Sequence, residues 1–549
     1  MLPASPPTRQ GPDSAPVPDP ADRDQDLDRD RDPDLDLDQG RRPHPPAAPA
    51  PAPYPKRDPD PAGEQRSLLP VWLWPVLLTL VLTVYGIGRP LLWEDELNTW
   101  DVATRSTGDL LATVRRVDAV LGAYYLLLHG WTAVLGDSAA VLRLPSALAM
   151  AGAAACTALI GQRLFGRRAG ATAGLLLALT PVVTRYAHEA RPYALVVLAV
   201  ALATLALLRA LDRPGSGWRW TGYALCVAAV GLLHLVALTA LAGHLVGVAV
   251  RARAASAPGG RPIVWRFGLA AGAGVLAAAP VALLGTAQAR RQISWIPAPD
   301  LWGLAAFWPQ LYASGAVAGA VTVLALLAWS GRSPARRGPL LALSALAVLP
   351  PLLVWTASHG DVSYFYFRYL LFTLPAWAVL AGAGLDAAIR SRGAAAGVLA
   401  VLAVLTLPDQ QALRRPYAHF WHGIDYAGAA RTIERYHRPG DAVVYARGDD
   451  YWRMLDVGVR HYLADGLRPR DVFQAASGAD RADLWSAECP DPAACVGEEP
   501  RVWLVVPAGR ADPLDALPGP QAKALRAHYT ATGAERLTGV TVALLVRTP

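Results

Sequence analysis

Between Leu68 and Pro408 the chain returns repeatedly to apolar runs of about 17 to 25 residues, the length a helix needs to cross roughly 30 Å of hydrocarbon. One or two such runs would suit the core helices of a water-soluble protein. A series of about eleven does not, because only a bilayer offers that much apolar surface to cover. The runs predict helices near 70–88, 144–161, 170–187, 191–209, 220–233, 235–250, 266–285, 311–329, 339–357, 368–385 and 394–408. Composition agrees: 53% of residues are hydrophobic and 17% charged, below the roughly 25% charge of soluble domains.

Charge then orients the helices. The net charge of +7 is carried almost wholly by Arg in short turns between apolar runs, which is a topology signal rather than a nucleic-acid signal. Residues 1–66, rich in Pro, Asp and Arg and nearly free of aromatic residues, cannot bury a core and are expected to be a disordered cytoplasmic tail. No apolar stretch follows the start, so a cleavable signal peptide is not expected and the first helix is retained. With the N-terminus inside, the turns at 161–170, 209–220, 251–266, 331–338 and 386–393 face the cytoplasm. They hold fifteen Arg against two acidic residues, Asp212 and Asp386. The short apolar stretch Tyr124–Leu135 cannot cross and reads as a helix lying along the membrane surface.

Beyond Pro408 the periodicity changes. A helix over Tyr426–Tyr436, a strand at DAVVYA, a helix near Asp450–Tyr462 and strands at RVWLVV and VTVALLV predict a small α/β domain. After eleven crossings it lies outside the membrane. There the pair Cys489 and Cys495, in CPDPAAC, is expected to form a disulfide, since too few further ligands stand nearby for a metal. Cys156 and Cys226 sit in apolar runs and are expected only to pack. The expectation is an α-helical polytopic membrane protein with an extracytoplasmic α/β domain. It divides into a tail (1–66), a membrane domain (67–410, with a first outside loop at 89–143) and a C-terminal domain (411–549).

Ionisable residues collect in the outside turns. WEDELNTW places Glu94, Asp95 and Glu96 directly after the first membrane helix. Crowded carboxylates raise one another's pKa, although a solvated acidic loop would read the same way. RYAHEARPYAL brings His188, Glu189, Arg191 and Tyr193 to the mouth of two helices, where charges are uncommon without a partner or a pathway. His234 stands alone and is better read as a packed histidine. QARRQISW supplies Arg290, Arg291 and Trp295, the last at a depth where Trp is often an interfacial anchor. SHGDVSYFYFRYLLF adds His359, Asp361, Arg368 and Tyr369, and Arg368 is placed to grip a phosphate with two parallel hydrogen bonds.

A set confined to one face points to a reaction on that face. A transporter is expected to carry ionisable groups at the bilayer midplane, broken helices and a repeated half, and none of these is evident in the sequence. Walker A, GxSxG, HExxH and paired CxxC motifs are also missing. The competing readings are a flippase or transporter of lipid-linked glycans and a non-catalytic envelope assembly protein.

WEDEL after the first helix, YYLLLHGW followed by RLPSA, HEARPYAL, and FRYLLFTLPA near the last helices together resemble the GT-C superfamily of membrane glycosyltransferases. The likeness is to the branch holding protein O-mannosyltransferases and lipid A aminoarabinose transferases, and it spans roughly residues 70–440. It implies transfer of a sugar, mannose among the candidates, from a polyprenyl phosphate carrier in the bilayer to an extracytoplasmic glycan, lipid or protein. By the same resemblance Asp95 is the catalytic base, with Glu96 as alternate, and Glu189 orients the acceptor or a metal. A divalent ion bridging Asp95, Glu189 and the phosphate is compatible with these carboxylates. His188, Glu189, Arg191, Tyr193, Arg290, Arg291, Arg368 and Tyr369 are the expected substrate and phosphate contacts. The chain departs from the family where VLGA replaces the usual Pro-Pro before YYLLL.

Overall fold

The computed structural model describes residues 69–255, 260–331, 333–418 and 423–549, so the tail expected at 1–66 lies outside the described residues. The membrane part runs through α1 (Leu73–Val84), α2 (Glu94–Ala103), α3 (Thr107–Arg116), α4 (Gly122–Leu135), α5 (Ala139–Phe165), α6 (Arg167–Leu179), α7 (Pro181–Ala187), α8 (Tyr193–Asp212) and α9 (Gly217–Leu233). It continues with α10 (Ala240–Ala254), α11 (Gly260–Ile293), α12 (Leu301–Tyr312), α13 (Gly315–Leu327), α14 (Pro334–Ala357), α15 (Leu374–Ala388) and α16 (Arg392–Ala412).

Each expected membrane segment falls on a helix, but length separates them. Among the described residues seven helices are long and apolar enough to cross a bilayer, eight if α12 and α13 count as one bent span. Four expected crossings do not qualify as single straight spans. α1 has 12 residues and α9 has 17, while α6 and α7 are parted at Thr180 by the proline that opens α7. The fourth is a broken helix that the sequence did not reveal. α12 meets α13 at 96° because Ala313 turns left-handed and Ser314 restarts the helix by capping Val317.

Close packing makes the bundle. α5 packs against α6 and α8, α6 against α15, and α10 against α14. Small residues allow the backbones to meet: a methyl group on Gly170 would strike Ala158 O of α5, and one on Gly384 of α15 would strike Leu324 O of α13. On α4, Tyr124, Tyr125 and Leu128 are buried while Leu126, Leu127 and Leu135 are exposed, so this short helix keeps an apolar outer face.

The C-terminal region is an α/β unit. After α17 (Tyr426–Tyr436) come β1 (Ala442–Tyr445), α18 (Leu455–Tyr462), β2 (Arg470–Asp471), β3 (Gln474–Ala476), β4 (Ala487–Glu488), β5 (Arg501–Pro507), β6 (Tyr529–Leu537) and β7 (Val540–Arg547). The main sheet has the order β2-β1-β5-β7-β6, with β1 parallel to both neighbours and β7 antiparallel to both of its own. The three predicted strands are β1, β5 and β7, each buried along most of its length as central strands are. The edge strand β6 is mostly exposed and lacks an apolar pattern, which is why the sequence did not show it. Cys489 and Cys495 are bonded to each other, with Cα atoms 6.6 Å apart. Cys156 is buried and Cys226 half-buried, both as free thiols.

Candidate functional site

WEDEL becomes the first turn of α2, where Glu94, Asp95 and Glu96 complement the positive end of the helix. Each of the three faces a different environment. Glu96 turns inward to Arg143 of α5: Nη2 lies 2.5 Å from Oε2 and Nε 2.7 Å from Oε1, with both side chains fully buried. The same guanidinium donates to the carbonyls of Ile87, Pro90 and Leu91, while Glu96 also accepts from Ala190 N at 2.8 Å. One buried pair therefore fixes the start of the first outside loop, the head of α2 and the loop before α8.

That fixation aims Asp95 into a cavity of about 910 Å³, within the range of ligand sites. Arg191 Nε stands 3.9 Å from Asp95 Oδ2 and Arg368 Nη1 stands 3.0 Å from the same oxygen. Burial by itself would raise the Asp95 pKa. The guanidinium groups of Arg191, Arg368 and Arg185 outweigh it and hold the carboxyl below its usual range. Glu94 lacks that company, and burial pushes it up to about 7.

Aromatic rings enclose Arg368. Its guanidinium carbon lies 4.9 Å from the Tyr366 ring, 5.5 Å from Tyr193, 5.6 Å from Trp93, 5.8 Å from Trp295 and 5.9 Å from Tyr369. Yet the polar atoms here are not saturated. Arg191 Nε, Arg368 Nε and both Glu94 oxygens are buried without a hydrogen-bond partner among the described residues. Orphaned polar groups of both signs, converging on one cavity, mark a place built for a polar or charged ligand.

The remaining sequence candidates divide. Arg191, Tyr193, Arg291, Arg368 and Tyr369 line the cavity with Asp95. Arg291 also bridges to Asp483 of the C-terminal region at 2.8 Å. Arg290 does not line it: it pairs with Asp361 at 3.1 Å, both side chains exposed to solvent. His188 is buried behind the site and donates from Nε2 to Thr83 O at 2.7 Å, while burial lowers its pKa to about 3, so it remains a neutral packing residue. Glu189 likewise stands behind the wall, 2.5 Å from Arg185, and burial raises its pKa. Glu96 stays committed to Arg143. Among the described residues no three of His, Cys, Asp and Glu gather to hold a metal ion, and Asp95 and Glu189 are each engaged by arginine. The described residues do not fit the bridging divalent ion expected from the sequence.

Several lining residues escaped the sequence reading. Asp118 accepts from Tyr125 OH at 2.6 Å, and burial raises its pKa. A lone Asp in a mixed stretch gives no signal of this. Arg447, Tyr451, Trp452, Asp456, Trp485 and Glu488 of the C-terminal region close the far side of the cavity. The aromatic and charged run GDDYWR was the available signal.

The model of the dolichyl-phosphate-mannose-protein mannosyltransferase family matches residues 121–251. No curated protein matches the sequence. Among solved structures, ArnT from Cupriavidus metallidurans bound to undecaprenyl phosphate superposes with a TM-score of 0.58 at 14% identity, covering 86% of this chain and 97% of that one. Its apo form gives the same values. AglB, the Archaeoglobus fulgidus oligosaccharyltransferase, reaches a TM-score of 0.44 at 12% identity, too low to carry an argument. The ArnT likeness establishes the fold, and the family match falls on YYLLLHGW, RLPSA and HEARPYAL. In motifs and fold the chain is similar to the GT-C superfamily of membrane glycosyltransferases.

Proposed function

We propose that the chain transfers a sugar, with inversion, from a polyprenyl-phosphate-linked donor to an acceptor on the extracytoplasmic side, with Asp95 as base. The observation that carries this reading is the one carboxylate shared by Arg191 and Arg368 in a cavity of orphaned polar groups. The undecaprenyl phosphate held by ArnT supports the choice of carrier. The Arg bias of the turns supports the orientation, with the N-terminus cytoplasmic and the C-terminal region outside.

Chemistry follows from charge. While Arg191 and Arg368 lean on Asp95 the carboxylate is ionised but weakly basic. A donor phosphate entering the cavity competes for both guanidinium groups and frees Asp95 to accept the proton of an acceptor hydroxyl. The acceptor oxygen bonds to the anomeric carbon as the carbon–oxygen bond to phosphate breaks, and that electron pair leaves on the polyprenyl phosphate. Arg368 and Arg191 then face the added negative charge, and no general acid is needed for so stable a leaving group. Tyr193 and Tyr369, with rings 6.1 Å apart, wall this region against water.

The test supplies purified full-length protein with a lipid extract rich in polyprenyl-phosphate sugars and an envelope extract holding glycan, lipid and protein acceptors, and follows release of polyprenyl phosphate by mass spectrometry. Release by wild type and its loss in Asp95→Asn is the expected result. A wild-type protein that consumes no donor would overturn the enzyme reading, and a flippase would instead move labelled lipid between leaflets. Cysteines introduced singly into the C-terminal region and labelled from outside intact cells test the orientation.

A further inference from the structure

The cavity has a second wall whose chemistry differs from the arginine-rich one around Asp95. Tyr451 and Trp485 meet edge to face with ring centroids 4.9 Å apart, and both line the cavity. Beside them Arg447 is buried among three carboxylates: Asp456 at 3.0 Å, Glu488 at 3.7 Å, and Asp471 in direct contact. The buried atoms Arg447 Nη1 and Glu488 Oε1 face each other across that 3.7 Å, beyond hydrogen-bond reach, and neither makes a hydrogen bond among the described residues. Glu94 of α2 lines the same cavity, 8% exposed, with no hydrogen bond to either carboxylate oxygen among the described residues. α2 packs on α18, so Glu94 and Asp456 belong to neighbouring elements across the same space.

We infer that this wall is the acceptor subsite and that its occupant is a neutral saccharide, an assignment that rests on the transferase reading. Aromatic faces bind the C–H faces of sugar rings, while carboxylates accept from hydroxyl groups and a guanidinium donates to them. Edge rings, orphaned acceptors and one orphaned donor supply that combination in one place. Three carboxylates around a single guanidinium, with Glu94 in the same cavity, oppose a phosphorylated lipid headgroup or an acidic glycan. Because Glu94 and Asp95 line the same cavity, a hydroxyl of a saccharide held here has a path to the proposed base. The arginine-lined side is left to the anionic donor, so the two substrates are sorted by charge.

The experiment uses the full chain in lipid nanodiscs and saturation-transfer NMR with four probes: mannotriose, arabinotriose, a uronic-acid trisaccharide and a Ser/Thr-rich decapeptide. At least one neutral trisaccharide is expected to bind, with affinity reduced about tenfold by Tyr451→Ala and by Glu488→Gln. Retained binding of polyprenyl phosphate to each variant checks that it is folded. No neutral trisaccharide bound, preference for the peptide or the uronic acid, or unaltered binding in both wall variants would each overturn the assignment. Polyprenyl phosphate release, measured in parallel, separates the two claims. Release that survives a failure of saccharide binding leaves the transferase standing without this subsite, and saccharide binding without any donor consumption leaves the subsite without the transferase.

Discussion

Arg368 Nη1 lies 3.0 Å from Asp95 Oδ2, which joins the turn before α15 to the head of α2 across nearly half the chain length. Arg368 is buried and ringed by aromatic side chains and Asp95 is half-buried, so the attraction is stronger than it would be in water. It also reports the state of the site, because an anionic ligand must draw Arg368 away from Asp95.

Asp95→Asn removes the base and the charge that both arginines face. Turnover is expected to fall by about 10² to 10⁴ while donor affinity changes much less, which single-turnover kinetics and donor binding will separate. Since the arginines hold Asp95 below the usual carboxylate range, its ionisation imposes no loss of wild-type activity between pH 5 and pH 7, roughly the interval above an ordinary Asp pKa.

Arg368→Lys keeps the positive charge but loses the flat guanidinium that fits among the rings. Donor KM is expected to rise about tenfold, and an Arg368→Met variant to do worse, as charge and stacking are then both gone. Equal donor KM in the lysine variant and the wild type would show that planarity is irrelevant here.

The Arg143–Glu96 pair is structural on this reading. Glu96→Gln leaves a buried guanidinium short of its counter-charge and is expected to cost about 3 to 5 kcal/mol, read as a lowered unfolding midpoint in detergent. The double change Glu96→Leu with Arg143→Met should recover a large part of that loss. Full stability of Glu96→Gln with impaired turnover would instead return Glu96 to the list of catalytic carboxylates.

Glu94 gives a pH dependence of definite sign. Its pKa rises from 4.5 in the unfolded chain to about 7 in the fold, so the folded state binds the proton more tightly. Stability contributed by the protonated form is complete below about pH 4.5 and is lost as pH climbs to about 7, by an amount on the order of 3 kcal/mol. Glu94→Gln cannot ionise. Its unfolding midpoint relative to wild type is therefore expected to rise from pH 5 to pH 8, and a constant difference would contradict the burial of this carboxyl.

What could be read in advance follows the range of the forces involved. Long apolar runs and Arg-rich turns are local signals of membrane helices and their orientation, and α5, α8, α11 and α14 lie where the runs predicted them. Central strands β1, β5 and β7 were legible because burial on both faces demands continuous apolar residues, whereas β6 at an edge does not. The break between α12 and α13 was not, since it depends on one left-handed alanine.

The same boundary runs through the site. Sequence alone determined that carboxylates and arginines gather in the turns on one side, because an ionised group is too costly to leave in hydrocarbon without a reason. It could not rank Glu94, Asp95 and Glu96, whose chemical identity and position are nearly alike. Tertiary structure separated them by partner: two arginines for Asp95, one buried arginine for Glu96, and only the charge of Arg453, with no hydrogen bond among the described residues, for Glu94. Only packing brought the C-terminal wall of Arg447, Trp485 and Glu488 to the cavity, since contacts between residues hundreds of positions apart leave no local pattern in the chain.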